Sequence, residues 1–262
     1  MAFGFVNASS GAVRFVEDGT GAAVVLLHQT PRSGDEYADV LPLLAAHARA
    51  IAVDTPGFGE SDALAAPLTI EAAAGVIGEA IVALDAVPAI VVGHHTGGVI
   101  AVELAAARPE LVRGLVLSST PYTTAAFRDE RARTGAPVDR WAEDPLVSLR
   151  RSREPHYPAG RDDLLERLLV DAKRAGPRVH EGHAAVAAYR MEDRIGLVHA
   201  PALVVAATDD PFSYGHARPL AAALGGAPVQ EIEGGTVPLP DHLPEAFAAA
   251  VLRFVESIAS TE

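Results

Sequence analysis

Val91-Val92-Gly93-His94-His95-Thr96-Gly97-Gly98 carries a β-branched run directly into a segment whose glycines stand four apart. Residues 89–92 read as a buried strand and the residues after Gly98 as a helix. Small residues at 93 and 97 let the chain reverse sharply between the two, which pushes His95 out at the head of a sheet. Working outward, residues 23–27, 50–53, 115–117 and 202–205 are further short apolar runs that read as buried strands. The segments around Phe5 and at 13–16, separated by Ser-Ser-Gly, read as a hairpin at the sheet edge. Ile70, Ala73, Ile77, Ile81 and Leu84 recur at helical spacing behind Thr69 as N-cap, and Phe247, Val251, Phe254 and Ile258 do the same near the end. Strands alternating with helices imply an α/β fold, a mainly parallel twisted sheet flanked by helices.

The rhythm breaks over residues 121–200, which hold Trp141, several prolines and leucines at 164, 165, 168 and 169 but no convincing strand. This stretch is expected to be a helical cap inserted after the sixth strand, with residues 1–120 and 201–262 forming the core. From Arg128 to Arg178 there are 12 basic and 10 acidic side chains; with a net charge of −13 overall, −15 falls on the rest. The cap is thus the less acidic part, a feature that suits an anionic substrate or simply a solvated face.

The 262 residues are 49% apolar and 21% charged, which excludes disorder as the main state. The negative balance disfavours nucleic acid and anionic membrane surfaces as partners, so a small-molecule substrate is expected, with the protein a monomer or homodimer. The absence of cysteine excludes disulfides, thiolate zinc sites, iron–sulfur clusters and a cysteine nucleophile. Residues 1–10 lack a basic segment followed by a long apolar one, and no apolar run is long enough to span a bilayer, so a cytoplasmic location is expected. The ten histidines show no His-x-x-x-His helix pair beside an acidic ligand, and neither a metal nor another cofactor is expected.

Three segments together resemble the α/β-hydrolase family. Val24-Val25-Leu26-Leu27-His28-Gln29-Thr30-Pro31 is a strand entering a His-x-x-Pro turn, where family members usually have His-Gly. Asp54-Thr55-Pro56-Gly57-Phe58-Gly59-Glu60-Ser61-Asp62 is similar to the family's D-x-P-G-x-G-x-S-D turn. The stretch at 91–98, followed by Arg108-Pro109-Glu110-Leu111-Val112, resembles its nucleophile elbow and the strand entry after it. The resemblance covers nearly the whole chain.

Set on the family pattern, His95 stands where the serine nucleophile is usual, and Thr236, in Gly234-Gly235-Thr236-Val237, stands where the catalytic histidine is usual. His242 lies six residues later and would serve only if the loop folds back. Asp210 matches the family's acid, with Asp209 the adjacent alternative. The exchange suggests compensation: the ring of His95 reaches into the space left at Thr236 and hydrogen-bonds Asp210, so that one nitrogen is held as a donor and the other is presented as a base. The backbone amides of Thr96 and of Gln29 or Thr30 are the expected oxyanion donors, with side-chain donors on Gln29 and Thr30.

The resulting expectation is a cofactor-independent enzyme acting on a small carbonyl compound by ester, lactone or C–C bond hydrolysis, or by lyase chemistry. His95 would be its general base or, through an acyl-imidazole, its nucleophile. The alternatives are a small-molecule binder or sensor that kept the pocket without the chemistry, and a scaffold whose cap is an interface.

Overall fold

A computed structural model describes residues 1–134 and 144–260. Eight strands form one sheet: β1 (Ala2–Ala8), β2 (Gly11–Asp18), β3 (Ala23–Leu27), β4 (Arg49–Val53), β5 (Ala89–His94), β6 (Val112–Ser118), β7 (Ala202–Ala207) and β8 (Val229–Ile232), in the order β1-β2-β4-β3-β5-β6-β7-β8. The β1–β2 hairpin runs antiparallel at one edge and joins β4 antiparallel, whereas every pairing from β4 to β8 is parallel. Because the central strands are covered on both faces, they read as unbroken apolar runs. In β3, Val25 and Leu27 join the core on one face while Val24 and Leu26 join the core on the other.

The first face is covered by α2 (Ile70–Ala83), α3 (Thr96–Ala107) and α8 (Ala217–Ala223), and the second by α1 (Leu41–Ala45) and α10 (Pro244–Ala259). Thr69 caps α2 by accepting the amide of Ala72, as its position before the apolar periodicity implies. Between β6 and β7 the described elements are all helical: α4 (Ala125–Thr134), α5 (Pro145–Arg153), α6 (Asp162–Ala175), α7 (Arg178–Ala188) and short turns. Leu149, Leu164, Leu165, Leu168 and Val179 from these helices pack with Phe58 and Val237 from the loops after β4 and β8, a third core seated over the carboxyl ends of the strands. The short helix α9 (Leu239–His242) completes the set.

The chain runs from β3 to β4 on one side and returns to place β5 on the other. The strand order therefore reverses beside β3, and the loops after β3 and β5 diverge there into a crevice at the carboxyl edge, the usual ligand position in an open parallel sheet. No helix among the described residues is long and apolar enough to cross a membrane.

Candidate active site

His95 sits between β5 and α3 with φ 47° and ψ −111°, a left-handed conformation that a residue with a Cβ adopts only when its surroundings impose it. The imposition is visible on both sides. A Cβ on Gly93 would collide with the backbone of Gly97, and one on Gly97 with the carbonyl of Leu27, so the glycines allow β5, α3 and β3 to approach closely. The amide of His95 donates to the carbonyl of Ser118, and its carbonyl accepts the amide of Gly98, holding the turn against β6 and α3.

This turn aims His95 Nε2 to within 2.8 Å of Asp210 Oδ2. The approach is bent, close in distance but without a ring N–H aligned on the oxygen, and Nδ1 carries no hydrogen bond from the described residues. Asp210 follows β7 and is fully buried; Oδ1 accepts the amide of Phe212 at 2.9 Å and Oδ2 accepts the hydroxyl of Ser213 at 2.6 Å. Burial opposes ionisation of this carboxyl, but the neighbouring imidazole and the Ser213 and Phe212 donors outweigh it and hold Asp210 well below the usual carboxylate range.

His94 belongs to the scaffold. Its Nε2 is 2.9 Å from the carbonyl of Val237, its Nδ1 is 3.1 Å from Ser118 Oγ, and its ring meets that of His95 edge-on at 4.7 Å. A carbonyl only accepts, so Nε2 carries the proton and the ring is neutral; burial first, and then His95, push it down to about 3. His28 is buried likewise, with Nε2 accepting the amide of Thr55 and Nδ1 near the carbonyl of Gln29.

The expected donors divide. Thr96, first residue of α3, has an amide with no acceptor among the described residues, and its Oγ1 turns toward the Thr30 amide at a long 3.4 Å. Gln29 departs from the expectation: its backbone amide donates to Glu36 Oε2 at 2.9 Å and its side-chain nitrogen to Glu36 Oε1 at 2.6 Å, so the backbone amide and one of the two side-chain N–H groups are held by a buried carboxyl. Thr236 Oγ1 lies 3.0 Å from His242 Nδ1, and no polar contact joins Thr236 or His242 to His95 or Asp210. Asp209 accepts the Thr208 hydroxyl instead of facing the imidazole.

The sequence reading missed a second polar cluster beside the first. Arg32, 1% exposed, reaches Asp171 on α6 at 2.9 Å, Asp241 on α9, and Glu36 at 3.8 Å, while Arg167 bridges Asp241 at 2.8 Å and Asp39 at 3.1 Å. Burial pushes the Glu36 carboxyl up to about 8 against the pull of Arg32. Nothing local marks Arg32 as buried, and its partners Asp171 and Asp241 come from distant segments.

Above His95 the helices between β6 and β7 present further cations. Arg153, at the end of α5, has its guanidinium 5.4 Å from the Phe212 ring and 3.5 Å from His183 Nε2 on α7. His156 stacks edge-on against Phe212 at 4.7 Å. Burial and the charges of Arg153 and Arg131 push His183 down to about 3. Trp141, in the same segment, lies outside the described residues.

A family model described as alpha/beta hydrolase fold matches residues 22–242. The chain is 30% identical to a pimeloyl-[acyl-carrier protein] methyl ester esterase of Neisseria meningitidis, over 90% of this chain and 94% of that protein. It is 28% identical to haloalkane dehalogenase 2 of Mycobacterium tuberculosis, over 87% of this chain and 76% of that protein. Among solved structures it is similar to a thermophilic esterase from Thermogutta terrifontis, with TM-score 0.83 and 19% identity, covering 98% of this chain and 99% of that one.

Proposed function

The chain belongs to the alpha/beta hydrolase fold family, whose relatives here are hydrolases, and from that premise we propose that it hydrolyses a small ester or lactone without a cofactor, using His95 as general base. The observation that carries the reading is the elbow itself. A strained backbone displays an imidazole at the carboxyl edge of the sheet, with one nitrogen 2.8 Å from a buried, ionised carboxylate and the other without a hydrogen bond from the described residues.

In this reading Asp210 orients the ring and stabilises its protonated form, while Nδ1 takes a proton from a water as that water's oxygen bonds to the substrate carbonyl carbon. The carbonyl oxygen gains negative charge and is met by the amide of Thr96 at the positive end of α3, with the Thr30 amide a second donor once its long contact to Thr96 Oγ1 opens. Collapse of the tetrahedral species expels the alkoxide, which takes the proton back from His95. Water and ester are consumed, acid and alcohol are formed, and the imidazole ends as it began. The described helices between β6 and β7 serve as the lid over this chemistry, and Thr236 supports His242 rather than taking part in proton transfer.

The test is release of nitrophenol from short para-nitrophenyl esters by the wild type and by His95→Ala, at matched folding and several pH values. The reading expects the wild-type rate to be lost in the variant at every pH tested. An equal rate in both proteins would remove His95 from the chemistry, and no turnover by the wild type would favour the ligand-binding alternative.

A further inference from the structure

Three arginines that tie the helices between β6 and β7 to one another or to the rest of the fold are answered by carboxylates. Arg32 has Asp171 and Asp241, Arg128 has Glu192, and Arg194 has Glu103. Arg153 is different. Among the described residues no carboxylate lies within ion-pair distance of it, and its neighbours are an aromatic ring and a histidine nitrogen that accepts rather than compensates. Leaving a partly buried guanidinium with such neighbours is costly unless an anion completes it. A second observation points the same way: four residues on, Tyr157, 8% exposed, has a buried hydroxyl with no hydrogen-bond partner among the described residues, an unsatisfied donor.

This cluster is next to the proposed chemistry. Phe212, under the guanidinium, is the residue whose amide holds Asp210, and His183 lies within electrostatic reach of both Arg153 and His95. We propose that Arg153, with the Tyr157 hydroxyl, binds a carboxylate on the substrate, so that the esters or lactones taken by this protein carry a free carboxylate a few bonds from the scissile carbonyl. A guanidinium offers two parallel N–H donors that match a carboxylate's oxygens. The less acidic balance of the segment from Arg128 to Arg178 agrees with this assignment.

The inference rests on the hydrolase reading for its word substrate, but its test does not depend on turnover. Thermal unfolding is followed with and without glutarate, in the wild type, in Arg153→Met and in Arg151→Met, which alters an exposed arginine two residues away. The proposal expects glutarate to raise the midpoint of the wild type and of Arg151→Met, with affinity about ten- to a hundredfold weaker in Arg153→Met and measurably weaker in Tyr157→Phe. Equal stabilisation of Arg153→Met and wild type, or none of the wild type, would overturn it. Where the wild type turns over esters, the ratio of kcat/KM for para-nitrophenyl hemiglutarate over para-nitrophenyl valerate should fall by the same ten- to a hundredfold in Arg153→Met; an unchanged ratio contradicts the assignment. Failure of hydrolysis with glutarate binding intact would sink the reaction and leave the anion site standing.

Discussion

Two charged clusters meet at the carboxyl edge of the sheet, and they differ in how fully their groups are answered. Around Arg32, each carboxylate has a donor: Asp171 and Asp241 share two arginines, Glu36 takes the backbone amide and one side-chain N–H of Gln29, and α6 is thereby pinned to the loop after β3. Around His95, a strained residue makes one bent contact to Asp210, and among the described residues an arginine nearby has no carboxylate partner and a tyrosine hydroxyl has no hydrogen bond. A saturated network holds a structure in place, whereas an incomplete one has capacity left for a substrate. The first cluster accounts for the seating of the helices over the strands; the second is where chemistry is proposed.

Substitutions should separate the two. His95→Ala should lower ester hydrolysis by about 10²–10⁴-fold, the usual worth of a positioned general base. It should cost about 1 kcal/mol of stability or less, because Asp210 keeps its Ser213 and Phe212 donors. Arg32→Met should do the reverse at the level of folding and destabilise by about 3–5 kcal/mol in urea titrations, since it strands buried carboxylates without a counter-charge. A stable Arg32→Met would erase the contrast.

Acid should act next. His94 and His183 are neutral in the fold, with values near 3 in place of 6.5, while the unfolded chain takes protons from about 6.5 downward. Their contribution is therefore complete above pH 6.5 and is lost as pH falls toward 3, at up to about 1.4 kcal/mol per pH unit for each group. Denaturation midpoints measured across that range should show the slope, and His94→Asn should flatten it. The smallest effect should come from Thr96→Val: a 3.4 Å contact to the Thr30 amide is too long to carry much, so stability should change by about 0.5 kcal/mol or less. A larger loss would mean that the Thr30 amide is structurally committed and is no oxyanion donor.

Much of the architecture is legible because its determinants are local. Apolar runs at 23–27, 89–92 and 202–205 fall within β3, β5 and β7, and Thr69 caps its helix where the periodicity places it. The glycine at 93 is legible as a sharp turn because a Cβ there would meet the backbone of Gly97 only four residues on, whereas Gly97 is also needed for the close approach of Leu27 on β3. The short, half-exposed strand Val229–Ile232 and the brief helix Leu41–Ala45 carry too little pattern to stand out. The Arg32 cluster is hidden for a different reason: residues 32, 36, 171 and 241 meet only after folding, and nothing in the neighbourhood of any one of them specifies the others. The same blindness made Gln29 look like a free donor when Glu36, seven residues on, consumes it.

The measurement closest to the central claim is chemical rescue of His95→Ala, following para-nitrophenyl ester hydrolysis with added imidazole. If His95 is the base, the variant's rate is lost, and imidazole restores part of it saturably, beyond its effect on the ester in free solution. A variant that hydrolyses the ester as fast as the wild type without imidazole would contradict the account.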